Sequence, residues 1–526
     1  MRKAFWNGRV GLFAAACIYG FVGPFAGQNL LAAQSDGTLV VKVVEEETGK
    51  PMAARMELRD ARGRAVRLRP KDATVQGSSL YFDGATTLEL RRGAYTFTVE
   101  GGPEYLTRIG NFTIDRHAED EAEATLSRRV DMHREDWYAG DLDVQLPLAD
   151  LPLMMEARGV DFVPVVAMAN DQGRCRKLKV APEQSGAGAS GRDGTPLAFG
   201  PWATLDDRRG GAMLAIGAEP LVDVCHWKVD DPMLASATSA DEAGATVLAA
   251  TPFAWELPVW IAAGKLDAVQ IITRHSQANG ALVNEGKGRP RDEIFFPGKL
   301  GNGRYAEAIY HHLLNCGLRL PPAAGSGVGS GPSGRPSSAV LGGNRVYVHC
   351  AEFTREAWLA GLRAGRVVVT NGPLLRTRVE GEPPGHVFQI QKGERHTVEI
   401  ALDLAFYEQY QVEYLEIIQN GRATHQIRLD ELAKRAGRLP PVEFDDSGWF
   451  LVRAVTNNTE VYQFATTGPY YVETNYEPRI SKASVQYFLD WIDEAAKEFA
   501  GNEAMLAEFA AARPYWEKLR ARANVE

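Results

Sequence analysis

The hydrophobic period of this chain changes three times, and each change limits what the segment can become. From about residue 36 to 128 the period is two. Leu39, Val41 and Val43 alternate with polar neighbours, as do Met56 and Leu58, Leu88 and Leu90, and Tyr95, Phe97 and Val99. Turn formers stand between these runs at Thr48-Gly49-Lys50-Pro51, Ala61-Arg62-Gly63 and Arg92-Gly93. Short alternating strands with regular turns predict a β-sandwich. The acidic run Glu119-Asp120-Glu121-Ala122-Glu123 marks its far edge and reads as a solvated surface.

From about 137 to 372, short apolar runs alternate with helical ones. Strands are expected near 141–145, 160–168, 212–218, 246–250, 266–273, 345–349 and 366–370. Helices are expected near 148–158, 230–242, 256–263, 303–316 and 354–364. This alternation predicts an α/β domain, and its strand number suits a barrel as well as an open sheet. Two Gly/Ser/Pro-rich insertions, 183–196 and 321–343, read as flexible surface loops. Period two returns from about 386 to 475, where Tyr414 to Ile418 runs into the hairpin signal Asn420-Gly421, and predicts a second β-sandwich. From Ser481 the period is helical, with Val485, Phe488, Leu489, Ile492, Ala496 and Phe499 on one face. Pro514 is expected to interrupt that helix before a last short one. The expected organisation is a leader over 1–33, sandwiches over 36–128 and 376–475 around an α/β unit over 129–375, and a helical tail over 476–526.

The leader follows from Arg2, Lys3 and Arg9 before the largely apolar run Val10–Val22, with Ala32-Ala33 ahead of polar residues. That layout is a secretory signal peptide, and its apolar run is too short and too broken by glycine and proline for a membrane span. Cleavage removes three positive charges and no acidic one, taking the net charge from −9 to −12. The mature chain is therefore expected to be exported and acidic. Such a balance excludes a broad nucleic-acid surface, which needs a cationic excess. Five cysteines in 526 residues exclude a disulfide scaffold, although Cys175, Cys225, Cys316 and Cys350 have partners available in an oxidising compartment.

Familiar catalytic motifs are absent: there is no H-E-x-x-H, no G-x-x-x-x-G-K-[ST] and no G-x-S-x-G. One G-x-G-x-x-G, Gly329 to Gly334, lies in low-complexity sequence without a preceding strand and is discounted. The informative residues are polar groups at the ends of apolar strands: Asp141, Asp143 and Gln145, Asn170-Asp171, Glu219, Arg274-His275 and Thr370-Asn371. Period two places Asp141, Asp143 and Gln145 on one side of their strand. If that side lines a mouth, they converge with Glu219 and His275 to hold a divalent cation or a polar substrate. A strand-end polar residue is also a ready cap or solvated loop residue, and for Asn170-Asp171 capping is the preferred reading.

Trp137-Tyr138-Ala139-Gly140-Asp141-Leu142, followed by Asp143-Val144-Gln145, resembles the W-Y-x-G-D-L-H-x-H opening of PHP-type metallohydrolases of the CehA/McbA-like group. The resemblance extends to Leu257–Asp267, His311–Arg319 and Gly365–Pro373. It implies a distorted (β/α)7 barrel between the two sandwiches and metal-dependent hydrolysis of ester, carbamate or phosphoester bonds. The H-x-H pair of that family falls here on Asp143 and Gln145. Its later G-S-D-x-H type segment is replaced by Gly325-Ser326-Gly327-Val328. A dinuclear site relies on imidazoles and bridging carboxylates, and without a tightly held metal the nucleophilic water is not generated. Two readings follow. One is a non-catalytic binding protein for a small polar molecule or carbohydrate. The other is a hydrolase with an altered single-cation site. In the second, Asp143, Gln145 and Glu219 are the expected metal ligands, Asp141 and His275 the catalytic pair, and Arg274 and Asn371 contact substrate.

Overall fold

The computed structural model describes residues 36–178, 186–191, 194, 196–208, 211–276, 285–329, 339–406 and 411–526, and the expected leader lies outside them. The N-terminal strands form where period two places them. Gly37–Glu45 buries Leu39, Val41 and Val43 and exposes more of their neighbours. It pairs antiparallel with Ala85–Leu90 and parallel with Glu119–Leu126, whose acidic residues face solvent. A second sheet orders Thr74–Gln76, Ser79–Asp83, Ala53–Asp60, Gly93–Glu100 and Arg108–Ile114. The two sheets enclose one core of Leu39, Val41, Met56, Leu58, Leu88, Val99 and Leu126.

The middle of the chain departs from expectation: the distorted (β/α)7 barrel is not what forms. Among the described residues strand accounts for 38% and helix for 23%, and the principal sheet is large and mixed. Trp137–Gly140, Phe162–Asp171 and Pro196–Asp207 run parallel. Met213–Ile216 then runs antiparallel both to Pro196–Asp207 and to Thr246–Ala249. Thr246–Ala249, Ala268–Ile272 and Pro322–Ala324 are again parallel. Arg345–His349 lies antiparallel to Trp137–Gly140 and to Val367–Thr370. The sheet continues through Phe464–Thr467 into Gly448–Thr456 and Val412–Gln419.

The physical reason is connection length. A parallel crossover needs a dozen or more residues, and the few between Asp207 and Met213 permit only a hairpin. The twelve-residue strand Pro196–Asp207 has no counterpart among the expected elements because Gly200-Pro201 interrupts its apolar run. A second hairpin, Asp171 to Arg174, turns through Gln172 and Gly173, both at positive φ (51° and 80°). The segment 321–343 also differs from a plain surface loop, since Pro322–Ala324 is a strand and Gly325 to Val328 are buried. Most of the discounted glycine motif, 330–334, lies outside the described residues.

Asn420 and Gly421 make the expected two-residue turn, both at positive φ, with Gln419 opposite Arg422. The tail is a helical hairpin, Lys482–Glu498 and Glu503–Ala521. Val485, Phe488, Leu489 and Ile492 are buried against the protein beside Trp260 and Trp516. Pro514 lies within the second helix rather than ending the first. The break comes at Asn502, whose side chain caps the second helix by accepting from the Met505 N–H. Cys175 and Cys225 form a disulfide, and Cys316 and Cys350 are buried thiols.

Candidate functional site

Backbone geometry places Asp143 at a three-way junction. Its neighbour Val144 bridges in parallel to Val165 on one side and to Val328 on the other. The Val328 N–H donates to the Asp143 carbonyl, and the Gln145 N–H donates to the Val328 carbonyl. The chain from Gly325 to Val328 can approach this closely because it carries little side chain. A Cβ on Gly325 would lie 2.8 Å from the Asp143 Cβ, and one on Gly327, at φ 64°, 2.5 Å from the Arg274 Cβ.

At this junction Asp143, 1% exposed, is ion-paired with Arg274, whose Nη2 stands 3.1 Å from its Oδ2. The other guanidinium nitrogen, Nη1, lies 3.3 Å from Asp207 Oδ2. The Gln145 amide donates to Asp143 Oδ1 at 3.4 Å. Asp171, opposite Asp207 in the sheet, adds a third carboxylate to the field around Arg274. Burial lowers the Arg274 pKa, but the three carboxylates together raise it above the ordinary value, so its charge is permanent. Burial pushes the Asp207 carboxyl up, and Arg274 offsets this only in part because Asp171 and Asp143 add to the rise.

The remaining expected residues take other positions. Asp141 is fully buried and acts as an anchor: Oδ1 accepts from the Ser326 N–H and Oδ2 from the Gly342 N–H, each at 2.8 Å. Burial lifts its pKa to about 7 despite those donors. His275 follows Arg274 in a 3-10 turn, where successive side chains point about 120° apart. Its ring meets the Phe253 ring edge-on at 5.4 Å, and its Nδ1 has no hydrogen-bond partner among the described residues. Burial and the Arg274 charge depress its pKa to about 3, which makes it a poor base near neutrality. Glu219 is on the surface, its side chain 72% exposed and 2.9 Å from Arg355. Asn371 spends its amide on the backbone, donating to the Ser276 and Tyr462 carbonyls and accepting from the Phe464 N–H. Asn170 caps the Gln172-Gly173 turn by accepting from the Gly173 N–H and donates to the Val224 and Trp227 carbonyls.

The expected cation ligands Asp143, Gln145 and Glu219 therefore do not fit a divalent ion. Asp143 faces a guanidinium, Gln145 turns its amide nitrogen inwards, and Glu219 is committed elsewhere. Among the described residues, no group of three or more His, Cys, Asp or Glu is arranged to hold a metal. Asp207 was absent from the sequence expectation because its strand was. The signal available was the carboxylate pair Asp206-Asp207 ending an apolar run, of which Asp206 is consumed by buried Arg208 at 2.7 Å.

No protein-family model matches the chain. No curated protein matches either. Among solved structures, the chain is similar over short stretches to the Bacillus anthracis TIE protein, at 18% identity and a TM-score of 0.15, covering 22% of this chain and 20% of that one. It is similar to the pilus-presented adhesin Spy0125 (Cpa) at 11% identity and a TM-score of 0.14, covering 18% of this chain and 27% of that one. The chain thus spans less than a third of either.

Proposed function

We propose that this is an exported, non-catalytic binding protein whose Asp143–Arg274–Asp207 cluster receives a small polar ligand. One observation carries the reading: the positive charge at the convergence of the strand-end carboxylates is the protein's own guanidinium. A guanidinium neutralises carboxylates and orients ligand oxygens, but unlike a bound metal it does not lower the pKa of a water towards neutrality. Three carboxylates around one guanidinium leave acceptors in excess, which favours a ligand rich in N–H or O–H donors. Export is supported by the basic, then apolar, start of the sequence and by the Cys175–Cys225 disulfide, since disulfides persist in oxidising compartments. No helix among the described residues is long and apolar enough to cross a membrane.

The test is a thermal-shift and calorimetric screen of polyamines, basic amino acids and polyols, with metal analysis and a hydrolase screen on ester and phosphodiester substrates. Saturable binding that Asp207→Asn weakens, with no turnover, is the expected result. Hydrolysis that depends on added divalent cation and disappears in Asp143→Ala would sink the reading and restore the single-cation hydrolase. Turnover surviving both Asp143→Ala and His275→Ala would place the chemistry elsewhere in the molecule.

A further inference from the structure

A cavity of about 390 Å³ lies where the strand Trp137–Gly140 meets the antiparallel pair Leu374–Val379 and Ile400–Phe406. Its walls divide by chemistry. Trp137 presents a partly exposed indole, held edge-on by the His349 ring at 5.4 Å. Buried Met132, Val368 and Leu375 supply further apolar surface. The polar wall consists of two guanidinium–carboxylate pairs whose arginines stand two residues apart on one strand. Arg376 holds Glu135 through both Nη2 and Nε, the latter at 3.2 Å, and Arg378 Nη2 lies 2.5 Å from Asp403 Oδ1.

The backbone arranges these pairs. Arg376 and Arg378, two residues apart on one strand, project to the same side. In the register Arg376 faces Leu404 while Thr377 faces Leu402, so Asp403 is the extra residue of a β-bulge. Bulges re-aim side chains, and this one gives Asp403 its contact with Arg378.

We infer that this cavity is a site for a neutral saccharide. An aromatic face suits the C–H side of a pyranose ring, and the polar edge of the ring needs closely spaced donors and acceptors. Each guanidinium–carboxylate pair offers both, and Arg376 is held to Glu135 through two nitrogens before the ligand arrives. Two guanidinium charges are matched by two carboxylates, so the cavity asks for no charge on its ligand. Its volume falls within the roughly 300–1,000 Å³ usual for small-molecule sites. Because it shares no lining residue with the Asp143–Arg274–Asp207 cluster, the inference stands whether or not that cluster binds anything.

The experiment is saturation-transfer NMR and calorimetry on the full, disulfide-intact protein with glucose, galactose, mannose, N-acetylglucosamine, lactose and cellobiose, and with glucuronate and sialic acid as charged arms. At least one neutral sugar is expected to saturate. Trp137→Ala and Arg378→Ala are each expected to weaken it by about tenfold or more, in line with the loss of one specific contact. The Arg378 side chain is 71% exposed, so that variant keeps the test valid if Trp137→Ala fails to fold. Saturation by none of the neutral sugars, binding confined to the acidic ones, or neutral-sugar affinity unchanged in Arg378→Ala would each overturn the assignment.

Discussion

Arg274 Nη2 stands 3.1 Å from Asp143 Oδ2 in a place where Asp143 itself is almost wholly withdrawn from water. A buried carboxylate of this kind tolerates the loss of its partner poorly. Arg274→Ala is therefore expected to cost about 3 kcal/mol in urea unfolding. The double variant Arg274→Ala/Asp143→Asn should recover part of that cost, because it removes the stranded charge as well. Equal losses in the single and double variants would refute the pairing.

Asn371 is expected to behave as a structural residue. Asn371→Ala removes two donors to backbone carbonyls and the acceptor for the Phe464 N–H, all buried. Orphaning such groups costs about 1–3 kcal/mol each at most, and partial relaxation should leave a loss of about 2–4 kcal/mol. Ligand affinity at the Arg274 cluster should not change in calorimetry. A large affinity change with unaltered stability would reverse this assignment.

The dependence of stability on pH follows from two opposed sets of buried groups. Glu256 is pushed up to about 8 by burial, against the Met233 N–H it accepts and with Glu508 and Asp206 adding to the rise; Arg208 opposes. Glu508 is raised to about 7 by burial, with Arg208 opposing. Both are protonated in the folded state over a range where the unfolded chain has lost those protons. Their contribution is full below the ordinary carboxylate range and lost as pH rises through 7–8. His311 and His312 are depressed to about 4 by burial, Glu307 opposing at His311 and Arg289 adding at His312. They make stability rise with pH from about 4 to 6.5. Between about pH 4.5 and 6.5 the two sets nearly cancel, so the melting temperature is expected to show a broad maximum near pH 5–5.5 and to decline towards pH 8. Glu256→Gln should flatten the alkaline decline, and an unaltered slope in that variant would count against the account.

Reduction of Cys175–Cys225, which spans a sequence separation of 50, should destabilise the protein by up to about 4 kcal/mol on the loop-closure estimate. Denaturant titrations with and without a thiol reductant measure this directly. Cys316 and Cys350 are free thiols in either condition, so Cys175→Ser/Cys225→Ser should reproduce the reduced curve.

Much of the secondary structure was readable from periodicity. The strands at Thr246–Ala249, Ala268–Ile272, Arg345–His349 and Val367–Thr370, and the helices Leu151–Arg158, Gly301–Asn315 and Arg355–Arg363, each fall inside or close to an expected segment. Their arrangement was not readable, because strand direction depends on connection length and sheet pairing, which periodicity does not encode. Pro196–Asp207 shows how one missed strand propagates: without it Met213–Ile216 reads as parallel, and Asp207 never enters the site. Asp143 and Arg274 were both singled out, but as a metal ligand and a substrate contact. That a basic residue about 130 positions downstream would meet the carboxylate directly is a long-range fact, set by the Val144 bridges to Val165 and Val328. His275, expected beside Asp141, packs on Phe253 for a local reason, the divergence of adjacent side chains in a tight turn.

The two glycines beside the cluster also bear on how readily this protein could change its chemistry by descent. At position 325 any side chain would meet Asp143 at once, and at 327 it would meet Arg274 in a conformation that L-residues rarely adopt. A carboxylate or imidazole introduced at either place would therefore have to be preceded by a shift of the backbone, because the Cβ atoms of positions 143 and 274 themselves stand in the way. With the backbone as it stands, a single substitution at 325 or 327 therefore adds no ion ligand to the cluster.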